Sequence, residues 1–222
     1  PEQVWYADDV FTISHKWLYE YHAEMQRRNM RIPFETITRA DRMKTDDVAR
    51  TLAELGCYRI WIGSESGSQR ILDAMRRGVK VEEVQLATKL AQKYGIEVGM
   101  FLMWGYDGEE YEDIAATVEH VKEANPDIFF TTVAYPIKNT GFYEKVKPKL
   151  IYSSDWNTGS DRDFKITGRH SRRYYQFADK WLFNAVDAHR LQDTDPVAAA
   201  AKAADAEAAR LGLIESAAEV EV

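Results

Sequence analysis

Five short apolar runs, rich in β-branched and aromatic residues, alternate with longer segments of helical spacing in the first 135 residues. The runs span residues 4–7, 34–38, 58–63, 96–104 and 128–135. In the intervening segments apolar side chains recur every three or four residues, as at Val48, Leu52 and Leu55. This alternation predicts repeated strand–helix units, whose strands run parallel because each helix carries the chain back to the same end of the sheet.

The pattern changes after Tyr143. Residues 152–173 are polar and turn-rich, and a helix is predicted through Tyr174, Phe177 and Trp181. Pro196 then opens an alanine-rich segment whose weakly apolar face predicts a peripheral helix. We therefore expect strand–helix units in residues 1–150, an irregular and helical extension in 151–195, and an alanine-rich helical tail in 196–222.

Two architectures fit the strand–helix units, an open doubly wound sheet and a barrel. A G-x-G-x-x-G phosphate loop does not follow the first run, which disfavours the dinucleotide-binding version of the open sheet. Five units are too few for a closed eight-stranded barrel. The sequence therefore predicts an α/β fold with a partial parallel (βα) barrel, and the start at Pro1, directly before a strand, leads us to expect a further unit upstream.

Composition narrows the range of partners. Acidic residues outnumber basic ones by 36 to 29, for a formal charge of -7, which argues against nucleic acid or an anionic membrane as a partner. The sequence has no apolar run of transmembrane length and no charged-then-apolar leader. We expect a cytoplasmic protein with a small-molecule substrate. Cys57 is the single cysteine, which excludes an internal disulfide and a multi-thiolate site within this chain.

Polar residues follow every predicted strand, at the edge where parallel α/β folds bind their ligands. They are Asp8 and Asp9, Arg39, Glu65 and Ser66, the segment from Gly105 to Glu110, and Tyr135. Asp8 and Asp9 are equally explained as a helix cap and a turn, and Arg39 as a structural ion pair. The stretch G-S-E-S-G-S at residues 63–68 is more informative, because its glycines allow a tight turn that leaves Glu65 facing a cavity.

Several motifs occur in order along the first 143 residues. They read ADDVFT, TRAD, GSESGSQRILDAMRRG, GMFLMWGYDGEE and PIKNTGFYE. In this order they resemble the radical S-adenosylmethionine (SAM) superfamily, in particular the branch that often carries an upstream cobalamin-binding domain. The resemblance implies a TIM-barrel-like fold of six units, of which this chain holds units two to six.

The resemblance also implies roles by position. Asp8 and Asp9 correspond to the contact with the SAM amino group, and Arg39 to a polar position at the next strand end. Glu65 and Ser66 correspond to the ribose position, and Tyr135 to the strand end near the adenine. A sulfonium and an ammonium group suit a site rich in carboxylates, with Arg39 available for the SAM carboxylate.

The implied cofactors are SAM, a [4Fe-4S] cluster and, in the branch concerned, cobalamin. The family's C-x-x-x-C-x-x-C cluster motif lies on the first unit, and Cys57 cannot replace it, so this chain alone is expected to be inactive. The complete enzyme, with an electron donor and an upstream cobalamin-binding domain as partners, would generate a 5′-deoxyadenosyl radical. Cobalamin-dependent methyl transfer or oxidative cyclisation would follow.

Two other functions fit the same residues. Asp8, Asp9 and Glu65 could hold a divalent cation in a barrel lyase or aldolase. Alternatively, a truncated barrel without thiolates could serve as a non-catalytic binding module.

Overall fold

The computed structural model describes residues 2–151 and 164–222. The strands are β1 (Val4–Tyr6), β2 (Phe34–Thr38), β3 (Cys57–Glu65), β4 (Glu97–Trp104), β5 (Ile128–Val133), β6 (Leu150–Ile151) and β7 (Lys165–Ile166). The helices are α1 (His15–Arg27), α2 (Asp46–Leu55), α3 (Gln69–Ala74), α4 (Val81–Lys93), α5 (Tyr111–Ala124), α6 (Gly141–Val146), α7 (Arg172–Leu191) and α8 (Pro196–Glu215). Most of the segment that we predict to be polar and turn-rich lies outside the described residues.

The five long strands form one parallel sheet in the order β1-β2-β3-β4-β5. β6 and β7 form a separate antiparallel pair. The prediction of an α/β fold with parallel strand–helix units is confirmed, and the strand ends agree with the predicted ones to within two residues. The largest extension is at β3, which continues to Glu65.

The two faces of the sheet differ in burial. Ile60 and Ile62 of β3 and Met100 of β4 are almost completely buried in the main core. On the opposite face, Trp61 stacks on Phe101 and Phe130, at centroid distances of 5.1 and 5.7 Å. Phe130 remains 54% exposed. Helices of the described chain therefore cover one face, as in a (βα) barrel whose inner face is open.

Local signals set the ends of several helices. Gly56 ends α2 with φ +104°, a left-handed conformation that glycine adopts without a side-chain clash. Ser68 caps α3 by accepting a hydrogen bond from the Ile71 N–H. Asp195 caps α8 in the same way, and Pro196 occupies its first turn. Thr45 precedes α2 as predicted, although its side chain makes no capping bond.

Cys57 begins β3 and is 4% exposed, as expected for a small buried apolar residue. Burial raises the pKa of its thiol to about 12. The thiol therefore stays protonated near neutral pH, and Cys57 has the properties of a core residue.

The alanine-rich helix α8 is an integral part of the packing. Ala206, Ala209 and Leu213 belong to the main core, and the Cα of Gly212 lies so close to Phe177 of α7 that an added Cβ would be 2.5 Å from its ring. The expectation of a peripheral helix is therefore wrong, because small side chains allow a close helix approach that a count of apolar residues does not register. The division into 1–150, 151–195 and 196–222 remains a prediction.

Candidate functional site

The predicted polar residues lie at one edge of the sheet, because all five long strands run in the same direction. Asp8 and Asp9 follow β1 and are exposed, and Arg39 directly follows β2. Glu65 is the last residue of β3, and Tyr135 lies two residues beyond β5. The parallel sheet thus places these residues at the same edge, although they are up to 127 positions apart in the sequence.

A cavity of about 820 Å³ opens at this edge beside β3, β4 and β5. Its lining residues include Glu65, Ala74, Met75, Arg76, Arg77, Met103, Tyr106, Tyr135, Ile137, Phe142 and Lys145. Among the residues described, the structure brings Glu65 and Tyr135 together here. Asp8, Asp9, Arg39 and Ser66 lie outside this lining.

Glu65 occupies a strained position. Its φ is +60°, which is unusual for a residue with a side chain, and its side chain is 20% exposed. Burial raises the pKa of the carboxyl group, and the Arg77 guanidinium lowers it through an ion pair of 3.1 Å between Oε1 and Nη2. A Cβ on Gly63 would come within 2.9 Å of both groups, so a side chain at this position would have to displace the ends of Glu65 and Arg77.

Arg77 is the cavity residue that sequence reasoning missed. It is the second arginine of the stretch MRRG, and a basic pair before a glycine is typical of an ordinary helix end. Arg76 and Gly78, on either side of it, have φ values of +56° and +63°, and this turn returns Arg77 to the end of β3. Its Nη2 also donates to the Gly63 carbonyl over 3.3 Å.

The Arg39 side chain is hydrogen-bonded to other residues of the protein. Its Nε donates to Asp41 over 2.9 Å, and its Nη2 donates to the backbone carbonyl of Arg77 over 3.0 Å. Arg39 therefore forms a structural ion pair, but a local one, with a residue two positions further along the chain and not across the site. By holding the Arg77 backbone, Arg39 also supports the partner of Glu65.

Ser66 faces away from the cavity. Its side chain is completely buried, and its hydroxyl lies 3.2 Å from the hydroxyl of Thr117 on α5 and accepts a hydrogen bond from the Ser68 N–H. The side chain thus supports the turn that carries Glu65. The assignment of Ser66 to the ribose position remains a prediction. The observed geometry does not favour a contact between its hydroxyl and a ligand in the cavity.

A buried polar face of α5 fixes the turn after β3. Asp113 accepts a hydrogen bond of 2.6 Å from the Ser68 hydroxyl, Thr117 accepts one from the Gly67 N–H, and His120 Nε2 lies 2.9 Å from the Ser64 hydroxyl. Burial lowers the pKa of His120 to about 4, so the ring is neutral. The sequence signal was weak, because positions 113, 117 and 120 are polar at helical spacing, but α5 also carries charged residues on its exposed face.

A divalent-metal site would require at least three ligand side chains that lie close together. Within residues 2–151 and 164–222, no three His, Cys, Asp or Glu side chains converge closely enough to hold a metal ion. Asp8, Asp9 and Glu65 therefore do not form the ligand set that the lyase alternative requires. Nor does any helix in those ranges combine the length and apolarity of a bilayer span.

Glu109 lies just before helix α5 and points back towards β4. The N-cap of α5 is Glu110, whereas Glu109 bends back to accept a hydrogen bond of 2.6 Å from the Gly105 N–H. It is 8% exposed, and burial raises the pKa of its carboxyl group to about 8.

We expect Glu109→Gln to stabilise the protein increasingly as the pH rises from about 5 to 8. An ordinary glutamate pKa in the unfolded chain lies near 4.3, so between these values the folded state holds a proton that the unfolded state has lost, and wild-type stability falls with pH. Denaturant unfolding of both proteins across this range measures the difference. A pH-independent difference would contradict the raised pKa.

Comparison with known proteins identifies the family. Residues 4–121, more than half of the chain, match the sequence profile of the Radical SAM superfamily. The chain belongs to the radical SAM superfamily. The resemblance that we inferred from the ordered motifs is thereby confirmed.

Two curated relatives illustrate the similarity. An uncharacterised methyltransferase of Pyrococcus horikoshii is 26% identical over 157 residues, which are 70% of this chain and 34% of that protein. A tRNA-2-methylthio-N(6)-dimethylallyladenosine synthase of Sulfurihydrogenibium is 34% identical over 89 residues, covering 38% of this chain and 20% of the synthase. This radical SAM chain therefore spans about a third or less of the length of these relatives.

Solved structures share the fold. The cobalamin-dependent radical SAM enzyme OxsB superposes with a TM-score of 0.63 at 15% identity, covering 94% of this chain and 38% of OxsB. The radical SAM methyltransferase TsrM of Kitasatospora setae, with cobalamin and a [4Fe-4S] cluster bound, gives 0.55 at 15% identity, covering 63% and 30%. The partial radical SAM barrel is thus the architecture of this chain.

Membership of the superfamily implies two bound groups, SAM and a [4Fe-4S] cluster. The cavity offers an acid and a base in contact, Glu65 and Arg77, beside apolar and aromatic side chains, and this donor set fits SAM. The [4Fe-4S] cluster has no ligand set here, because Cys57 is the single cysteine and is buried at the opposite end of β3.

Proposed function

We propose that this chain is the SAM-binding part of a radical SAM enzyme and that SAM occupies the cavity of Glu65, Arg77 and Tyr135. The observation that carries the proposal is the Glu65–Arg77 pair, held in strained backbone at the edge of an 820 Å³ cavity. Strain of this kind persists where a function requires it.

Each part of SAM finds a complementary group in this arrangement. The Glu65 carboxylate can accept two charge-assisted hydrogen bonds from the ribose hydroxyls, and Arg77 can pair with the SAM carboxylate. Tyr135 and the apolar side chains of Met75 and Met103 can contact the flat adenine. This assignment gives Arg77 the role that the sequence had suggested for Arg39, since Arg39 is bonded to Asp41.

Asp8 and Asp9 keep their proposed role at the SAM amino group. Both are exposed at the same edge of the sheet, two strands from Glu65, where a carboxylate favours a cation. With Glu65 they also balance the sulfonium, which carries a permanent positive charge.

For the complete protein we propose the reductive cleavage of SAM to a 5′-deoxyadenosyl radical. A [4Fe-4S] cluster, with ligands outside this chain, would supply the electron. The part played by the residues described is to bind SAM, orient it and exclude water. We propose methyl transfer with cobalamin, or oxidative cyclisation, as the overall reaction, with an upstream cobalamin-binding domain, an electron donor and a small-molecule substrate as partners.

The relatives support both reaction classes by name. One is described as a methyltransferase. Another, an anaerobic magnesium-protoporphyrin IX monomethyl ester cyclase of Rubrivivax gelatinosus, is 24% identical over 145 residues and is covered over 26% of its length. If the chain served only as a binding module, the full-length protein reconstituted with iron, sulfide and a reductant would form no 5′-deoxyadenosine from SAM.

We expect Glu65→Ala in the full-length protein to weaken SAM binding by about 1–3 kcal/mol, the usual contribution of a hydrogen bond to a charged group. Isothermal titration calorimetry with SAM measures the change. The matched control is Glu97→Ala, which removes an exposed carboxylate at the amino-terminal end of β4 and leaves SAM affinity unchanged. Equal SAM affinity of wild type and Glu65→Ala would refute the site.

A further inference from the structure

A second cavity, of about 590 Å³, lies between the β4–α5 loop and the C-terminal extension. Its lining includes Gly105, Glu109, Lys149, Arg169, His170 and Tyr175. None of these residues lines the Glu65 cavity, although Tyr106 contributes to both. The second cavity is therefore a separate space next to the proposed SAM site.

Glu109 leaves one oxygen unused in this cavity. Its Oε2 accepts the Gly105 N–H over 2.6 Å, whereas its Oε1 is buried and has no hydrogen-bond partner among the described residues. Leaving a buried polar atom unsatisfied costs about 1–3 kcal/mol, so such an atom beside a cavity indicates a missing partner.

The two basic side chains of the cavity are already paired. Arg169 contacts Glu221 at 2.9 Å, and Lys149 contacts Asp107 at 2.8 Å. His170 Nδ1 lies 3.0 Å from the Ala217 carbonyl oxygen. Among the buried side chains of the lining, the groups left for a ligand are therefore the second oxygen of Glu109 and the hydroxyl of Tyr175.

These two groups converge on Gly105. The Tyr175 hydroxyl lies 2.8 Å from the position that a Cβ of Gly105 would occupy, and Glu109 is bonded to the N–H of the same residue. A side chain at position 105 would collide with the Tyr175 hydroxyl. Burial raises the pKa of Tyr175, so its hydroxyl keeps its proton and can donate it in a hydrogen bond.

We propose that this cavity binds an uncharged molecule through an amide or ketone carbonyl oxygen, which accepts hydrogen bonds from the protonated Glu109 and from Tyr175. A carbonyl oxygen has two lone pairs and can accept both bonds at once. A neutral ligand fits because Lys149 and Arg169 are balanced by their acidic partners and because Glu110, the remaining charged residue of the lining, is exposed to solvent.

The protonation state of Glu109 follows from all its surroundings. Burial is the largest effect and raises the pKa, the hydrogen bond from the Gly105 N–H and the charge of Arg70 lower it, and Asp113 raises it, so that the pKa lies at about 8. The other titratable groups around the cavity are Asp107, Glu110, Lys149, Arg169, His170, Tyr174, Tyr175 and Glu221. Glu109 is therefore the group whose charge changes near pH 8, and carbonyl binding is lost as the pH rises through this value.

The experiment uses 2-pyrrolidone, a small cyclic amide, and pyrrolidinium, a cation of similar size, as probes of the full-length protein. NMR with carboxyl-labelled glutamate follows the Glu109 resonance during titration with each probe. We expect 2-pyrrolidone to shift this resonance below pH 8 and pyrrolidinium to leave it unchanged. Preferential binding of pyrrolidinium, or no shift with 2-pyrrolidone because water already satisfies the carboxyl group, would overturn the proposal.

Three variants test which residues bind the probe. Their affinity for 2-pyrrolidone is measured by NMR signals of the probe itself. Glu109→Gln keeps a donor and an acceptor, so 2-pyrrolidone affinity stays within about twofold and loses its pH dependence. Tyr175→Phe weakens binding by about threefold to tenfold, as loss of one neutral hydrogen bond requires. Glu112→Ala, on the exposed side of α5, changes nothing. Loss of binding in Glu109→Gln, or full affinity in Tyr175→Phe, would contradict the assignment.

Discussion

Gly67→Ala is expected to lower the free energy of unfolding by about 3 kcal/mol, at the upper end of the usual penalty for overpacking. A methyl group at this position would meet the Ala116 carbonyl oxygen and His120 Cβ at 2.5 Å and Thr117 Cα at 2.6 Å. Two of these atoms belong to the backbone of α5 and cannot rotate away. The turn after β3 must therefore separate from α5, and Glu65 moves with it.

Urea unfolding monitored by circular dichroism measures this effect, and Gly141→Ala provides the control. Gly141 begins α6 and has open space where a Cβ would stand, so its replacement leaves stability unchanged or raises it by up to about 1 kcal/mol. If Gly67→Ala were as stable as Gly141→Ala, the close contact between the turn and α5 would be wrong.

Trp104→Ala is expected to destabilise the protein by about 3–5 kcal/mol, the usual range for removing a buried tryptophan. Trp104 is the last residue of β4, is 1% exposed, and donates from Nε1 to Asp179 of α7 over 2.7 Å. Its removal leaves a cavity between the sheet and the C-terminal helices and also leaves Asp179 without this donor.

Trp104→Phe separates the two contributions. It keeps most of the apolar volume and loses the hydrogen bond to Asp179, so we expect a smaller loss of about 1–2 kcal/mol. Thermal unfolding of the two variants under identical conditions gives the ranking. Equal stability of Trp104→Ala and wild type would show that α7 does not depend on the end of β4.

The parallel sheet could be predicted because its signal is repeated. Each strand has an apolar run, and each is followed by a segment of helical spacing, so an error at one boundary does not alter the topology. Helix α8 could not be judged in the same way. Its burial depends on the close approach of Gly212 to Phe177, a contact between residues 35 positions apart that periodicity does not encode.

The site could be predicted only in part. Glu65 and Tyr135 follow their strands directly, so the direction of the strands was enough to bring them together. Arg77 reaches the cavity through a turn with two left-handed residues, and Ser66 turns inward to α5. Such side-chain directions depend on tertiary contacts, which strand order alone does not specify.

The position of Cys57 makes the cavity accessible to spectroscopy. Because its thiol is buried and stays protonated near neutral pH, maleimide reagents will react slowly with it. Ile137 is a half-exposed residue of the cavity lining, and Ile137→Cys introduces a reactive thiol there. This thiol can carry a single fluorophore in the described part of the chain, and Cys57 need not be replaced. The emission of that fluorophore would record the filling and emptying of the space beside Glu65 in real time.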